Sequence, residues 1–146
     1  MAYRQRGVLI KPENFSDEMN YLLDQYGDSV FSITMNITKR ISDETVYRLM
    51  SAGNFNDITG KYRRNWTSEL RKFSSRFKVI ATVYNKKEYR LTHLLEKGHK
   101  NKNQFGVPKK EGKKKEAAAF PHISLVEEWA ITAFEEGLRE GLSRVE

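Results

Sequence analysis

The chain has 146 residues and reads as one domain spanning residues 1–146, long enough to bury roughly 70% of its unfolded surface around a single core. With no cysteine present, disulfides, thiolate metal sites, iron–sulfur clusters and cysteine nucleophiles are excluded, and folding in a reducing cytoplasm fits. The net charge of +7 raises nucleic acid as a partner, but much of it is local: Lys100, Lys102, Lys109, Lys110, Lys113, Lys114 and Lys115 face only Glu111 and Glu116, a net of +5 within residues 99–116, and the rest of the chain is nearly balanced.

Residues 1–10 contain no apolar run of the length a secretory signal needs, and nothing in the chain suits membrane insertion. After Val8 to Ile10 and Pro12, apolar residues recur every three or four positions at Phe15, Met19, Leu22, Tyr26, Val30, Ile33, Ile37 and Ile41, predicting a long amphipathic helix. Asn14 or Ser16 can cap it, and Asp17 and Glu18 suit the positive end of its dipole. The pattern resumes at Val46, Leu49 and Met50 and stops at Gly53-Asn54, with Gly27 and residues 42–44 as candidate breaks; one long helix is favoured.

From residue 61 to residue 85 the period changes to two. Trp66, Ser68 and Leu70 share one face, and Phe77, Val79, Ala81 and Val83 share the face of a second strand. An antiparallel pair follows, turning over residues 71–76, with its alternating face against the long helix. Two strands alone are marginal and need the helix, further strands or a neighbouring subunit. Tyr89, Leu91, Leu94 and Leu95 predict a short helix closed by Gly98. Residues 99–118 carry Lys, Asn, Gly and a Pro with almost no apolar content and read as a long mobile loop. Ser124 and Glu127 have capping-box spacing and open a last helix with its apolar stripe on Ile123, Val126, Trp129, Ala130, Ala133, Phe134, Leu138, Leu142 and Val145. The expected fold is α+β: a long N-terminal helix and a C-terminal helix packed on a small antiparallel sheet.

No catalytic constellation is present. His93, Glu96 and His99 have a spacing that can converge on a helix face, but Gly98 ends the helix first and no His-Glu-x-x-His occurs. The stretch from Gly106 to Lys114 has the wrong spacing for a phosphate-binding loop, contains Pro108 and lacks a terminal hydroxyl. No Gly-x-Ser-x-Gly is found, and the carboxylates suit solvated helix faces. The lysine segment can neutralise phosphates, stay solvated, or order on an acidic protein surface; only Phe105 interrupts it, so base stacking is unsupported and protein docking is preferred. Trp66 and Trp129 suit core positions better than binding hot spots.

The order of features carries more than any one of them. A long helix is followed by Asp57-Ile58-Thr59-Gly60 and basic residues, then by Leu94-Leu95-Glu96-Lys97-Gly98-His99, a loop, and Pro121-His122-Ile123 before the last helix. This resembles the gp-ten-like tail-component family of tailed bacteriophages, over roughly residues 15–146. There a Thr-Gly pair starts the first strand, a Glu-x-Gly motif closes a short helix and a proline-led motif precedes the terminal helix. The chain departs from that pattern at Asn56-Asp57-Ile58, where a proline often stands, and in its lysine-rich loop.

The resemblance implies a virion protein of the neck or tail-completion ring at the head–tail junction, non-enzymatic and without cofactor or metal. Its implied partners are itself, in a ring of about six copies, and tail-terminator, head-closure or tail-tube proteins, with non-specific contact to channel DNA and none to membrane; it would pass through the host cytoplasm during assembly. The candidate interface residues are Thr59, Gly60, Arg63, Arg64, Glu96, Gly98, His99, Lys100, Lys102, Lys109, Lys110, Lys113, Lys114, Lys115, Pro121 and His122. The rival is a small DNA-binding module gripping the backbone through the lysine loop, Arg63, Arg64 and Arg71.

Overall fold

The computed structural model describes residues 14–73, 78–100 and 116–145, and the fold is α+β as expected. Helix α1 (Phe15–Ser51) is followed by a single-turn helix α2 (Lys61–Arg64), strands β1 (Trp66–Phe73) and β2 (Lys78–Asn85), helix α3 (Tyr89–Lys97), the two-residue strands β3 (His99–Lys100) and β4 (Glu116–Ala117), and helix α4 (Ile123–Leu142).

Helix α1 is unbroken through Gly27 and residues 42–44. Asn14 precedes it with no side-chain cap, so the capping expected of Asn14 or Ser16 is not made. Its 37 residues make a rod of about 55 Å. β1 and β2 pair antiparallel from Trp66 opposite Asn85 to Phe73 opposite Lys78, so Arg71 to Phe73, expected in the turn, extend the strand instead. Phe77 and the rest of that turn lie outside the described residues. Val79, Ala81 and Val83 are the more buried positions of β2 and pack with Trp66 toward α1.

Helix α4 runs antiparallel to α1, because Gly137 meets Ile37 and Gly141 meets Ile33. A Cβ at Gly141 would lie 2.7 Å from Ile33 Cγ2, so the missing side chain is what allows the approach. At the other end of the seam the Arg48 guanidinium stacks 3.7 Å from the centre of the Trp129 ring. The seam ends where α4 ends, near Ile33. The stripe on α1 continues beyond it through Tyr26, Leu22, Met19 and Phe15, all of them exposed. The expected core-facing role of that stripe holds only for the C-terminal half of the helix.

The core is small: Leu49, Tyr62, Trp66 and Val126 are buried together, with Val46, Ala52, Phe55, Val83, Leu95, Ile123 and Trp129 around them. The ends of the expected loop are more ordered than composition implies, since His99 pairs with Ala117 and Lys100 with Glu116. The segment between them, with Lys102, Lys109, Lys110, Lys113, Lys114 and Lys115, lies outside the described residues.

Candidate functional site

Two polar knots and an open groove stand out among the described residues. The first knot joins α3 to the start of α4. Glu96, with a side chain only 15% exposed, accepts the backbone N–H groups of His122 (2.8 Å) and Ile123 (2.8 Å) on Oε2 and that of Ser124 (2.9 Å) on Oε1. These are donors that a helix start leaves without intrahelical partners, so Glu96 caps α4 from a different element. The capping box expected of Ser124 and Glu127 is therefore not formed: α4 already starts at Ile123, and Ser124 lies in its first turn. Burial works against the Glu96 charge, but the hydrogen bonds from His122, Ser124 and Ile123 outweigh it and hold the carboxyl at about 2 instead of 4.5.

His122 is completely buried. Its Nδ1 faces two acceptors, the Phe120 carbonyl at 2.7 Å and Glu96 Oε2 at 3.1 Å, and so carries the proton. Nε2 then presents its lone pair to the Tyr62 hydroxyl, which donates across 2.8 Å. Burial first, and the Glu96 charge second, push that hydroxyl well above the ordinary phenol range, with Arg63 pulling the other way, so it remains a donor. The surface contact expected of His122 gives way to an internal one, since its ring is enclosed.

The second knot closes α1. Arg63 donates from Nη1 to the carbonyl of Ala52 (2.7 Å) and from Nη2 to those of Gly53 (2.9 Å) and Phe55 (3.1 Å), and its guanidinium lies 4.3 Å from the Phe55 ring centre. Its backbone N–H is taken by Asp57 Oδ2 at 2.9 Å. With its fork spent on carbonyls, Arg63 is a poor candidate for gripping a DNA backbone. Phe55 is the hinge of the cluster, edge-to-face with Tyr62, Phe120 and His122.

The other expected interface residues fall in several places. Thr59 and Gly60 shape a turn, with the Gly60 N–H donating to the Asp57 carbonyl at 3.0 Å, but this turn leads into α2; the strand starts later, at Trp66. Arg64 is exposed and reaches the Thr59 carbonyl at 3.3 Å. Gly98 ends α3 at φ 72°, and a Cβ there would lie 2.6 Å from the Ala117 carbonyl oxygen. Pro121 and His99 are exposed, as is His93, while Glu96 is committed to α4. Among the described residues no group of three His, Asp or Glu side chains converges as a metal site would require, and no helix is long and apolar enough to cross a membrane.

The groove lies between α1, β2 and α4. α1 contributes Ile41, Thr45 and Leu49, β2 contributes Val79, Ala81 and Val83, and α4 contributes Val126, Ala130 and Phe134 to a concavity of about 670 Å³. The hydroxyls of Thr34, Thr38 and Thr45 are turned back onto carbonyls of their own helix, which leaves the groove largely apolar. The Trp66 indole N–H, buried at one side of it, has no hydrogen-bond partner. Among the described residues β1 and β2 pair only with each other, so their outer edges carry unpaired backbone groups.

Compared with known proteins, the chain matches no family model, no curated protein and no solved structure.

Proposed function

We propose that this chain is a structural subunit of a tailed-bacteriophage virion, in the neck or tail-completion ring at the head–tail junction, acting by protein–protein assembly and not by catalysis. The observation that supports the proposal is that the core stays open on one side among the described residues. A two-stranded sheet, an apolar groove of about 670 Å³ and a half-bare helix are the features of a subunit that its neighbours complete. The order of the Thr59-Gly60, Glu96-Lys97-Gly98 and Pro121-His122-Ile123 motifs along the chain supplies the family direction. Free strand edges and the lysine segment suit completion by strand addition and loop docking against connector, terminator or tube proteins.

The test is mass-resolved copy counting in purified virions or tail-like particles from the source. About six copies per particle is the expected result. Absence from the particles overturns the proposal, and a salt-sensitive shift of duplex DNA by the purified chain would then favour the DNA-binding alternative. Removal of residues 100–116 leaves the monomer folded and weakens incorporation; undiminished incorporation would exclude the lysine segment as a contact.

A further inference from the structure

Over the described residues 16 Lys and Arg side chains balance 16 Asp and Glu side chains, yet the charge is not evenly spread. Residues 60–65 and 86–90 hold Lys61, Arg63, Arg64, Lys86, Lys87 and Arg90 against Glu88 alone, a net of +5 on a neutral background. The two stretches are separated in the chain by the whole β1–β2 hairpin, so their meeting is a product of the fold.

Asn85 makes that meeting. Only 2% exposed, it donates from Nδ2 to the Tyr62 carbonyl at 2.7 Å and accepts the Glu88 N–H on Oδ1 at 2.9 Å, so one buried amide ties α2 to the bend between β2 and α3. The Lys86 N–H adds a bond of 2.7 Å to the Asn65 carbonyl. Between α2 and the bend lies a cleft of about 310 Å³ lined by Lys61, Arg64, Asn65, Lys87 and Glu88. The three cations are exposed, and among the described residues none of them is in a salt bridge, with Glu88 or with any other carboxylate. Arg64 gives one N–H to the Thr59 carbonyl and keeps the rest of its fork for a ligand. Like charges fixed in one place without a counter-charge attract an anion together.

We propose that the cleft between α2 and the β2–α3 bend seats one phosphate of a nucleic-acid backbone. Arg64 supplies a planar fork for the phosphate oxygens, and Lys61 and Lys87 supply point charges from either wall. Lys86 and Arg90, exposed and next to the lining residues in the chain, carry the positive field past a single phosphate, which favours a polyanion over a free phosphate. No aromatic ring lines the cleft and α2 is a single turn, so the contact positions a backbone without reading bases. The inference does not rest on the proposed function: DNA binding is read on the purified chain and copy number on particles, so either can fail without the other.

The test titrates the full chain into a labelled DNA duplex of about 20 base pairs and follows fluorescence anisotropy over a salt series. Lys61→Gln/Arg64→Gln/Lys87→Gln strips the cleft of its cations, and Lys87→Gln alone is the milder variant. Lys72→Gln/Lys78→Gln/Arg139→Gln removes the same charge elsewhere, at the far end of the sheet and on α4. All six side chains are exposed, so the variants fold, which circular dichroism and a thermal melt verify.

Wild type is expected to bind the duplex in a salt-dependent way. Loss of one seated phosphate should lower the slope of log affinity against log salt by about 1 and the affinity about tenfold in the triple cleft variant, with about threefold lost in Lys87→Gln. The variant neutralised elsewhere should stay within about twofold of wild type. Wild type that does not bind the duplex at low salt overturns the proposal. Cleft variants that keep the wild-type slope and affinity overturn it too, because the contact then lies elsewhere in the chain. Equal losses in the cleft and control variants would show a response to net charge alone and count against a site. Inorganic phosphate that weakens duplex binding as much as the triple cleft variant does, at concentrations too low to act through ionic strength, would reassign the cleft to a free phosphate and overturn the nucleic-acid assignment.

Discussion

Glu96 gives the sharpest prediction, because one carboxylate serves three backbone donors at the start of α4. Replacing it by glutamine keeps size and shape but removes the charge and puts an amide N–H where an acceptor is needed. The carboxyl titrates near its ordinary value of 4.5 in the unfolded chain and at about 2 in the folded one. Its folded value is depressed, so its contribution is complete above pH 4.5 and is lost as the pH falls toward 2. At ~1.36 kcal/mol per pH unit that interval is worth about 3 kcal/mol, an upper figure because one edge of the carboxyl stays wet. Three hydrogen bonds that each lose about 1 kcal/mol when the acceptor is no longer charged lead to a similar size. Against a typical total of about 5–15 kcal/mol, such a loss is easily read. The assay is urea unfolding of wild type and Glu96→Gln, followed by circular dichroism from pH 7 to pH 2.5. The two curves should lie about 3 kcal/mol apart at pH 7 and converge toward pH 2 as the native carboxyl becomes protonated and neutral like the amide. A gap independent of pH would mean that packing, not charge, holds the helix start, and no gap at pH 7 would refute the knot altogether.

Gly53→Ala and Gly60→Ala should separate clearly in melting temperature. At Gly53 the φ of 85° coincides with a Cβ position 2.6 Å from Phe55 Cε1 and 2.9 Å from His122 Cβ, for a cost of about 2–4 kcal/mol. At Gly60 a Cβ would meet only Arg64 Nε, at an ordinary 3.9 Å, and the φ of 67° alone resists, for about 1 kcal/mol; equal losses would contradict the packing around Phe55. Arg63→Lys retains the charge but cannot span the carbonyls of Ala52, Gly53 and Phe55, so about 2 kcal/mol should go, with faster amide exchange in the last turn of α1. Unchanged exchange there would remove Arg63 as the clamp. Tyr62→Phe strands His122 Nε2 in the interior and should cost about 1–3 kcal/mol by chemical denaturation; a neutral result would show that the pair carries no net stability.

What was legible in the sequence is what periodicity carries. The alternation at Trp66, Ser68 and Leu70 and at Val79, Ala81 and Val83 gave the inward faces of β1 and β2, and the three-four spacing gave α1, α3 and α4. The knots left no such trace. Glu96 and His122 are 26 residues apart, and a cap supplied across that distance has no local signature, whereas Ser124 and Glu127 have one and do not use it. Arg63 reads from sequence as one basic residue in a run, and only the fold brings three carbonyls to its fork. α2 is one turn long, shorter than any window in which a period can be seen. Gly137 and Gly141 break no apolar pattern and add nothing to one, yet they decide how closely α4 approaches α1.

The knots also explain how so much apolar surface can stay outside. A domain of this size would ordinarily define its packing with a large core, but here the joints of the chain are fixed by groups with strict directional demands. The α1 terminus is held by the Arg63 fork, the α4 start by the Glu96 carboxylate, and the two are linked through Phe55, Tyr62 and His122. Polar joints of this kind set orientation without consuming much hydrophobic area, because a hydrogen bond specifies geometry while its net energy stays near 1 kcal/mol. The side chains of Phe15, Leu22 and Tyr26, and the groove walls on β2 and α4, are then not needed to define the fold of one copy. Under the proposed function they would pack against a neighbouring chain, so the polar joints that order one copy are also what leaves its apolar surface uncovered among the described residues.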